Sequence, residues 1–192
     1  MHRTGRVACR WLVILGLVVA LAAPGAARAG SEAAAFAADL SAILPAQRAA
    51  VAAALPDGLP IYDIAVTIPE DGGEERALRG TMTVHYTNLT DGPLDALPFR
   101  LYANGPDPQQ DALTIDEARV DGRDVAPVWS VGRSVATLPL PAPLAPGDAV
   151  TVTMAFAARV PVDSRDHYGI FNLASRTGTW ALAHWYPMLA GR

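Results

Sequence analysis

His85, His167 and His184 are the side chains best suited to holding a metal, because a neutral imidazole nitrogen is a ready zinc ligand. A helical zinc hydrolase places two histidines one turn apart with a glutamate between them, so that both rings face the metal and the carboxylate reaches its water. No His-Glu-x-x-His occurs in the sequence. The three histidines are far apart along the chain, and His2 belongs to a leader. His85 falls on the outward face of its strand and His184 shares a strand with Trp185, so a structural role is expected for them. An enzyme built on them would need all three to converge by folding.

Other chemistry is equally sparse. A serine nucleophile would need a Gly-x-Ser-x-Gly elbow, which is absent, as is a phosphate-binding glycine loop. Glu70-Asp71 with Glu74-Glu75, and Asp163 with Asp166, offer oxygen ligands for calcium but lack the spacing of a known loop, and are expected to be solvated turns. Asn88-Leu89-Thr90 matches a glycosylation acceptor, yet turn chemistry accounts for it as well. Trp129, Trp180, Trp185 and Tyr186 could stack on a sugar if held open to solvent, whereas period-2 placement assigns some of them to a core. No catalytic, cofactor-binding or metal-binding residue is assigned in this chain.

The compartment is written at the start. Arg3, Arg6 and Arg10 precede an apolar stretch from Trp11 to Ala23, then Pro24-Gly25 and small residues at Ala27 and Ala29. That is the layout of a secretory signal peptide over residues 1–29, cleaved after Ala29, which places the product in the periplasm or cell envelope or outside the cell. An apolar run of 13 residues spans only ~20 Å of a ~30 Å hydrocarbon core, so no stable membrane span is expected after cleavage. The only cysteine, Cys9, leaves with the leader, and residues 30–192 must fold without disulfides or thiolate metal sites. Every cationic side chain is arginine. With the leader gone, 11 arginines face 19 acidic residues, a formal charge of −8 that repels phosphate backbones and argues against nucleic-acid binding.

Residues 30–58 form an Ala-rich spacer. Ser31 could cap a helix running through Phe36, Leu40, Ile43 and Leu44 until Pro45 interrupts it, and a second short helix is expected from Ala46 to Leu55. From Leu59 the pattern changes to strands. Tyr62, Ile64, Val66 and Ile68 alternate with polar or small residues, as do Met82, Val84 and Tyr86 after a Gly- and Glu-rich turn. Leu97, Phe99 and Leu101 share a buried face. Leu113–Val120 and Arg123–Trp129 flank Asp121-Gly122, the two-residue signal for a tight hairpin. Ser134–Leu140 gives a further strand, after which the prolines at 139, 141, 143 and 146 are expected to leave the sheet, since they lack ladder donors. Val150, Val152, Met154, Phe156 and Ala158 alternate without a fault, and Ile170–Leu173 and Thr179–Tyr186 complete the series. About eight short strands with no helix between them predict an all-β antiparallel sandwich, or saddle-shaped sheet pair, over residues 59–192.

Read in order, Tyr86-Thr87-Asn88, Phe99-Arg100-Leu101-Tyr102-Ala103-Asn104, Val120-Asp121-Gly122, Leu138-Pro139-Leu140 with Leu144-Ala145-Pro146-Gly147, Tyr168-Gly169-Ile170 and His184-Trp185-Tyr186-Pro187 carry a resemblance. Together they are similar to the N-terminal β domain of aminopeptidase N-type zinc metallopeptidases, nearest to bacterial exported members, over Leu59 to Ala190. The resemblance implies a saddle-shaped, mostly antiparallel domain packed beside a thermolysin-like catalytic domain. In that family the zinc ligands, the catalytic glutamate and a Gly-x-Met-x-Asn loop follow this domain, and none of those motifs occurs in this chain.

The chain is therefore expected to be the noncatalytic front part of a longer hydrolase, incomplete at its C-terminus. Zinc would sit in the missing catalytic domain, which would be its partner and its only route to a peptide substrate. The alternative is a freestanding exported β-sandwich module that binds protein or carbohydrate.

Overall fold

A computed structural model describes residues 40–56, 58–69, 77–105, 111–165 and 171–190. The expected signal peptide, the Ser31 cap and Phe36 lie outside these residues, as do Glu70 to Glu75, Asp166, His167 and the Tyr168-Gly169-Ile170 motif. The spacer contributes a 3₁₀ turn at Leu40–Ala42 and a helix at Arg48–Ala54. Arg48 reaches back to donate to the carbonyls of Ile43 and Ser41, which ties the two together across Pro45.

Eleven strands are described: β1 (Ile61–Thr67), β2 (Ala77–Thr87), β3 (Leu94–Arg100), β4 (Leu113–Val120), β5 (Arg123–Asp124), β6 (Val128–Ser130), β7 (Val135–Leu144), β8 (Ala149–Arg159), β9 (Phe171–Ala174), β10 (Thr179–Leu182) and β11 (Met188–Leu189). They form a five-stranded sheet of order β1-β2-β8-β4-β5, a four-stranded sheet β11-β3-β7-β6 and the pair β10-β9, with every ladder antiparallel. The all-β expectation holds.

One core joins the two larger sheets. Leu78, Met82, Val84, Val152, Met154 and Phe156 line the inner face of the first, and Leu97, Phe99, Ala136 and Leu138 that of the second, all at most 3% exposed. The faultless alternation of β8 explains its central place, since a strand flanked on both sides buries every second residue. At the β2–β8 register Gly80 stands opposite Phe156. A Cβ on Gly80 would lie 2.5 Å from Phe156 Cζ, so this glycine makes room for the ring to lie across the strand.

Three sequence expectations are corrected, and one strand edge stands partly uncovered. Arg123–Trp129 is not one strand: β5 closes the Asp121-Gly122 hairpin against β4, then the chain passes Pro127 and enters the other sheet as β6. The proline run does not leave its sheet at Pro139, because β7 continues to Leu144. Alternating bonding explains the tolerance. Ala136 and Leu138 turn their backbone groups toward β3, so Pro139 turns its missing donor toward β6, which has already ended at the Val128–Thr137 pair. Thr179–Tyr186 is broken by a left-handed His184 (φ 59°) into β10 and the approach to β11. Finally, β1 is an edge strand whose apolar face outruns its cover, leaving Val66 38% and Ile68 46% exposed.

Candidate functional site

The positioning of the C-terminal aromatic segment begins with His184, whose turn reverses the chain and lays Trp185-Tyr186-Pro187 across the core near Phe156. Trp185 meets Phe156 at 5.9 Å between ring centroids, Tyr186 stands edge-on to Trp185 at 5.3 Å, and Tyr62 of β1 stands edge-on to Tyr186 at 6.0 Å. Such offset and T-shaped contacts suit the ring quadrupoles and fix the segment in place. Met188 and Leu189 then pair with Arg100 and Phe99 of β3. The Leu189 N–H donates to the Tyr62 hydroxyl at 2.9 Å, so a side chain on the edge of one sheet holds the edge strand of the other. Burial pushes the Tyr62 phenol above its ordinary ionisation range; the Leu189 N–H counters this in part and neighbouring Tyr186 adds to it.

Beside this tie lies a mainly apolar cavity of about 150 Å³, bounded by Tyr62, Tyr86, Leu94, Leu97 and Leu189. Its walls carry no acid, base or nucleophile beyond the two phenols, which suits binding of an apolar side chain rather than chemistry.

Two asparagines are the buried polar side chains among the described residues, and both are fully employed. Asn104 donates to the carbonyls of Leu113 (2.8 Å) and Arg133 (2.9 Å) and accepts from the Leu113 N–H at 2.7 Å. Its amide thus pairs with both backbone groups of one residue on β4, at the end of that strand which β5 does not reach. Asn88 donates to the carbonyls of Gly92 (2.9 Å) and Leu144 (2.8 Å) and accepts from the N–H and hydroxyl of Thr90. The nitrogen that glycosylation would modify is buried and bonded, so Asn88-Leu89-Thr90 is a folded turn.

The sequence-selected residues do not assemble. Among the described residues no three His, Cys, Asp or Glu side chains stand together. His85 lies on the outer face of β2 with Nδ1 3.2 Å from Thr151 Oγ1, and His184 stacks on Tyr102 at 4.7 Å between centroids. Asp163 accepts from the Ser175 N–H at 2.9 Å and from its hydroxyl at 2.5 Å, which commits its carboxylate to closing the β9 region. Trp129 carries Arg133 over its ring at 4.4 Å, and Trp180, Trp185 and Tyr186 are half-buried against the core. All four rings are partly buried, and Trp129 has a face already taken by Arg133. Sequence reasoning missed the Tyr62–Leu189 tie, which no local pattern signals. It quoted Asn104 within a motif without seeing its role.

No protein-family model matches the chain, and no curated protein matches it. Among solved structures it is similar to an M1 zinc metallopeptidase from Deinococcus radiodurans, with 22% identity and a TM-score of 0.40, the match covering 54% of this chain and 20% of that one. A mutant of the Deinococcus radiodurans enzyme bound to a Tyr-Ser-Ala substrate matches with the same values. A two-domain M1 zinc metallopeptidase mutant bound to L-tryptophan matches at 21% identity and a TM-score of 0.41, over 57% of this chain and 22% of that one. The matched region is about a fifth of the length of those enzymes.

Proposed function

We infer that this chain is the noncatalytic β domain of an exported zinc metallo-aminopeptidase-like protein, and that it packs beside a catalytic domain of the same polypeptide. The supporting observation is where the resembling motifs fall. Asn88 and Asn104 are the buried clamps, Asp121-Gly122 (φ 48° and 77°) is the type I′ hairpin turn, and Pro146-Gly147 (Gly147 φ 83°) turns β7 into β8. Trp185 and Tyr186 meet Phe156 and Tyr62 of the five-stranded sheet, and Pro187 leads directly into β11 of the four-stranded one. Motifs that look generic singly are thus the joints that set this sheet arrangement. Among the described residues no three His, Cys, Asp or Glu side chains stand together; zinc bound in a catalytic domain of the parent would supply an activated water for attack on a peptide carbonyl, and this domain would supply a rigid wall beside it.

The half-buried state of Trp129, Trp180, Trp185 and Tyr186 weighs against the carbohydrate-module alternative. Export rests on the leader, and N-terminal sequencing of the secreted product should begin at Gly30. Sequencing the gene beyond the codon for Arg192 decides the main point. A His-Glu-x-x-His with a downstream glutamate is expected, and a natural stop codon or unrelated sequence in all frames would overturn the proposal.

A further inference from the structure

We propose that Asn104-Gly105 is a spontaneous modification site locked by the fold: the Asn104 amide is inert while it clamps Leu113, and opening of the turn around it lets the amide leave as ammonia, giving an aspartate or isoaspartate that cannot rebuild the clamp. The sequence carries three asparagines; Asn88 and Asn172 are each followed by leucine, whereas Asn104 is followed by glycine. Ring closure onto an asparagine brings the next backbone nitrogen to the side-chain carbon, and a residue without Cβ leaves that approach unhindered. The chemistry balances with water as the only co-reactant. Gly105 N bonds to Asn104 Cγ, the Cγ–Nδ2 bond breaks, and the departing NH₂ takes up the Gly105 N–H proton to leave as ammonia. Water then opens the succinimide ring at either carbonyl, which yields aspartate or, with the main chain routed through Cβ, isoaspartate.

In the folded chain each group of that reaction is held. Asn104 is 1% exposed, its Nδ2 donates to the Leu113 and Arg133 carbonyls at 2.8 and 2.9 Å, and its Oδ1 accepts from the Leu113 N–H at 2.7 Å. The attacking nitrogen is occupied as well, because the Gly105 N–H donates to the Tyr102 carbonyl at 3.1 Å and closes the 3₁₀ turn Tyr102–Asn104. Attack breaks the Gly105 bond, and departure of Nδ2 breaks both of its own. Conversion therefore runs through opened molecules, at a rate set by their population. The product fits the site worse than the amide it replaces. Aspartate turns an acceptor toward the Leu113 and Arg133 carbonyls, and isoaspartate also lengthens the main chain at the buried turn. One opening is thereby recorded irreversibly, and the marked chain opens more readily than before. The site involves neither zinc nor a catalytic domain, so its failure is separable from that of the function proposed above.

The experiment incubates the full chain in mildly alkaline buffer, folded and in guanidinium chloride, and follows the proteolytic peptide that carries Asn104 by mass spectrometry. Exchange of NH₂ for OH changes the mass, whereas ring closure at Asp121-Gly122 does not, so the readout belongs to asparagine. In denaturant Asn104 should convert at least about tenfold faster than Asn88 or Asn172, and Gly105→Ala should bring it down to their rate. That comparison is made in the unfolded chain and holds whether or not the variant folds. Folding should slow the conversion of Asn104 at least about a hundredfold. Modified chains, separated from the parent by their extra negative charge, should melt at a lower temperature at neutral pH. Conversion as fast in the folded chain as in the unfolded one, an Asn104 no faster than Asn88 in denaturant, or modified chains with the parent's melting temperature would each overturn the proposal.

Discussion

Replacing Asn104 with alanine tests whether the fold depends on a side chain acting as a strand neighbour. The substitution removes three hydrogen bonds, two to carbonyls and one from the Leu113 N–H, in a position where Asn104 is 1% and Leu113 1% exposed. At about 1 kcal/mol net for each of the two bonds to carbonyls, with about 1–3 kcal/mol for orphaning the buried Leu113 donor, the expected loss is about 3–5 kcal/mol. A domain of this size has about 5–15 kcal/mol in all, so the midpoint of urea unfolding followed by tryptophan fluorescence should fall by about a fifth or more. Asn104→Asp supplies the chemical control. It keeps an oxygen for the Leu113 N–H but turns an acceptor toward two carbonyls, so the folded state favours the protonated acid. The penalty should be largest at neutral pH, shrink as pH falls through the raised folded-state value toward about 4, and level off below that, where the carboxyl is neutral in both states and can donate once. A loss under about 1 kcal/mol in Asn104→Ala, or a pH-independent penalty in Asn104→Asp, would show that water reaches these groups and that the clamp is not needed.

Four further outcomes follow. Phe156→Ala should cost about 3–5 kcal/mol in the same unfolding assay, because the ring is 1% exposed and Trp185 rests on it. Gly80→Ala should cost about 1–3 kcal/mol by pushing that ring out of place, and pairing it with Phe156→Leu should recover part of the loss. Raised ionisation of Tyr62 means that the unfolded chain loses its proton first, so the stability it contributes is complete below about pH 10 and is lost as pH rises through the folded value; Tyr62→Phe should flatten that alkaline limb of the melting curve. His85→Ala should leave the melting temperature within about 1 °C of the parent's, since it removes only a half-exposed contact with Thr151.

Much of the architecture was legible because a half-buried strand writes its register into its own residues. The alternation in β8, the Asp121-Gly122 turn and the Leu97-Phe99-Leu101 face each depend on neighbours within a few positions, and each appears as read. The boundaries that misled share a cause. Pro139 reads as a sheet breaker until the early end of β6 leaves its side unclaimed, and Thr179–Tyr186 reads as one strand until His184 takes a left-handed turn. Both depend on what stands beside the segment.

The same division separates chemistry from site. Composition and motif content alone determined that no helical zinc motif and no serine elbow lies in these 192 residues, because such chemistry demands fixed local spacing. Only the tertiary structure decided that Asn104 stands in for a strand beside Leu113, and that Tyr62 reaches across to the Leu189 amide. Those partners lie 9 and 127 residues apart. Hydrogen bonds of that kind are set by which sheet edges come together, and a pattern that repeats every two residues carries no record of it.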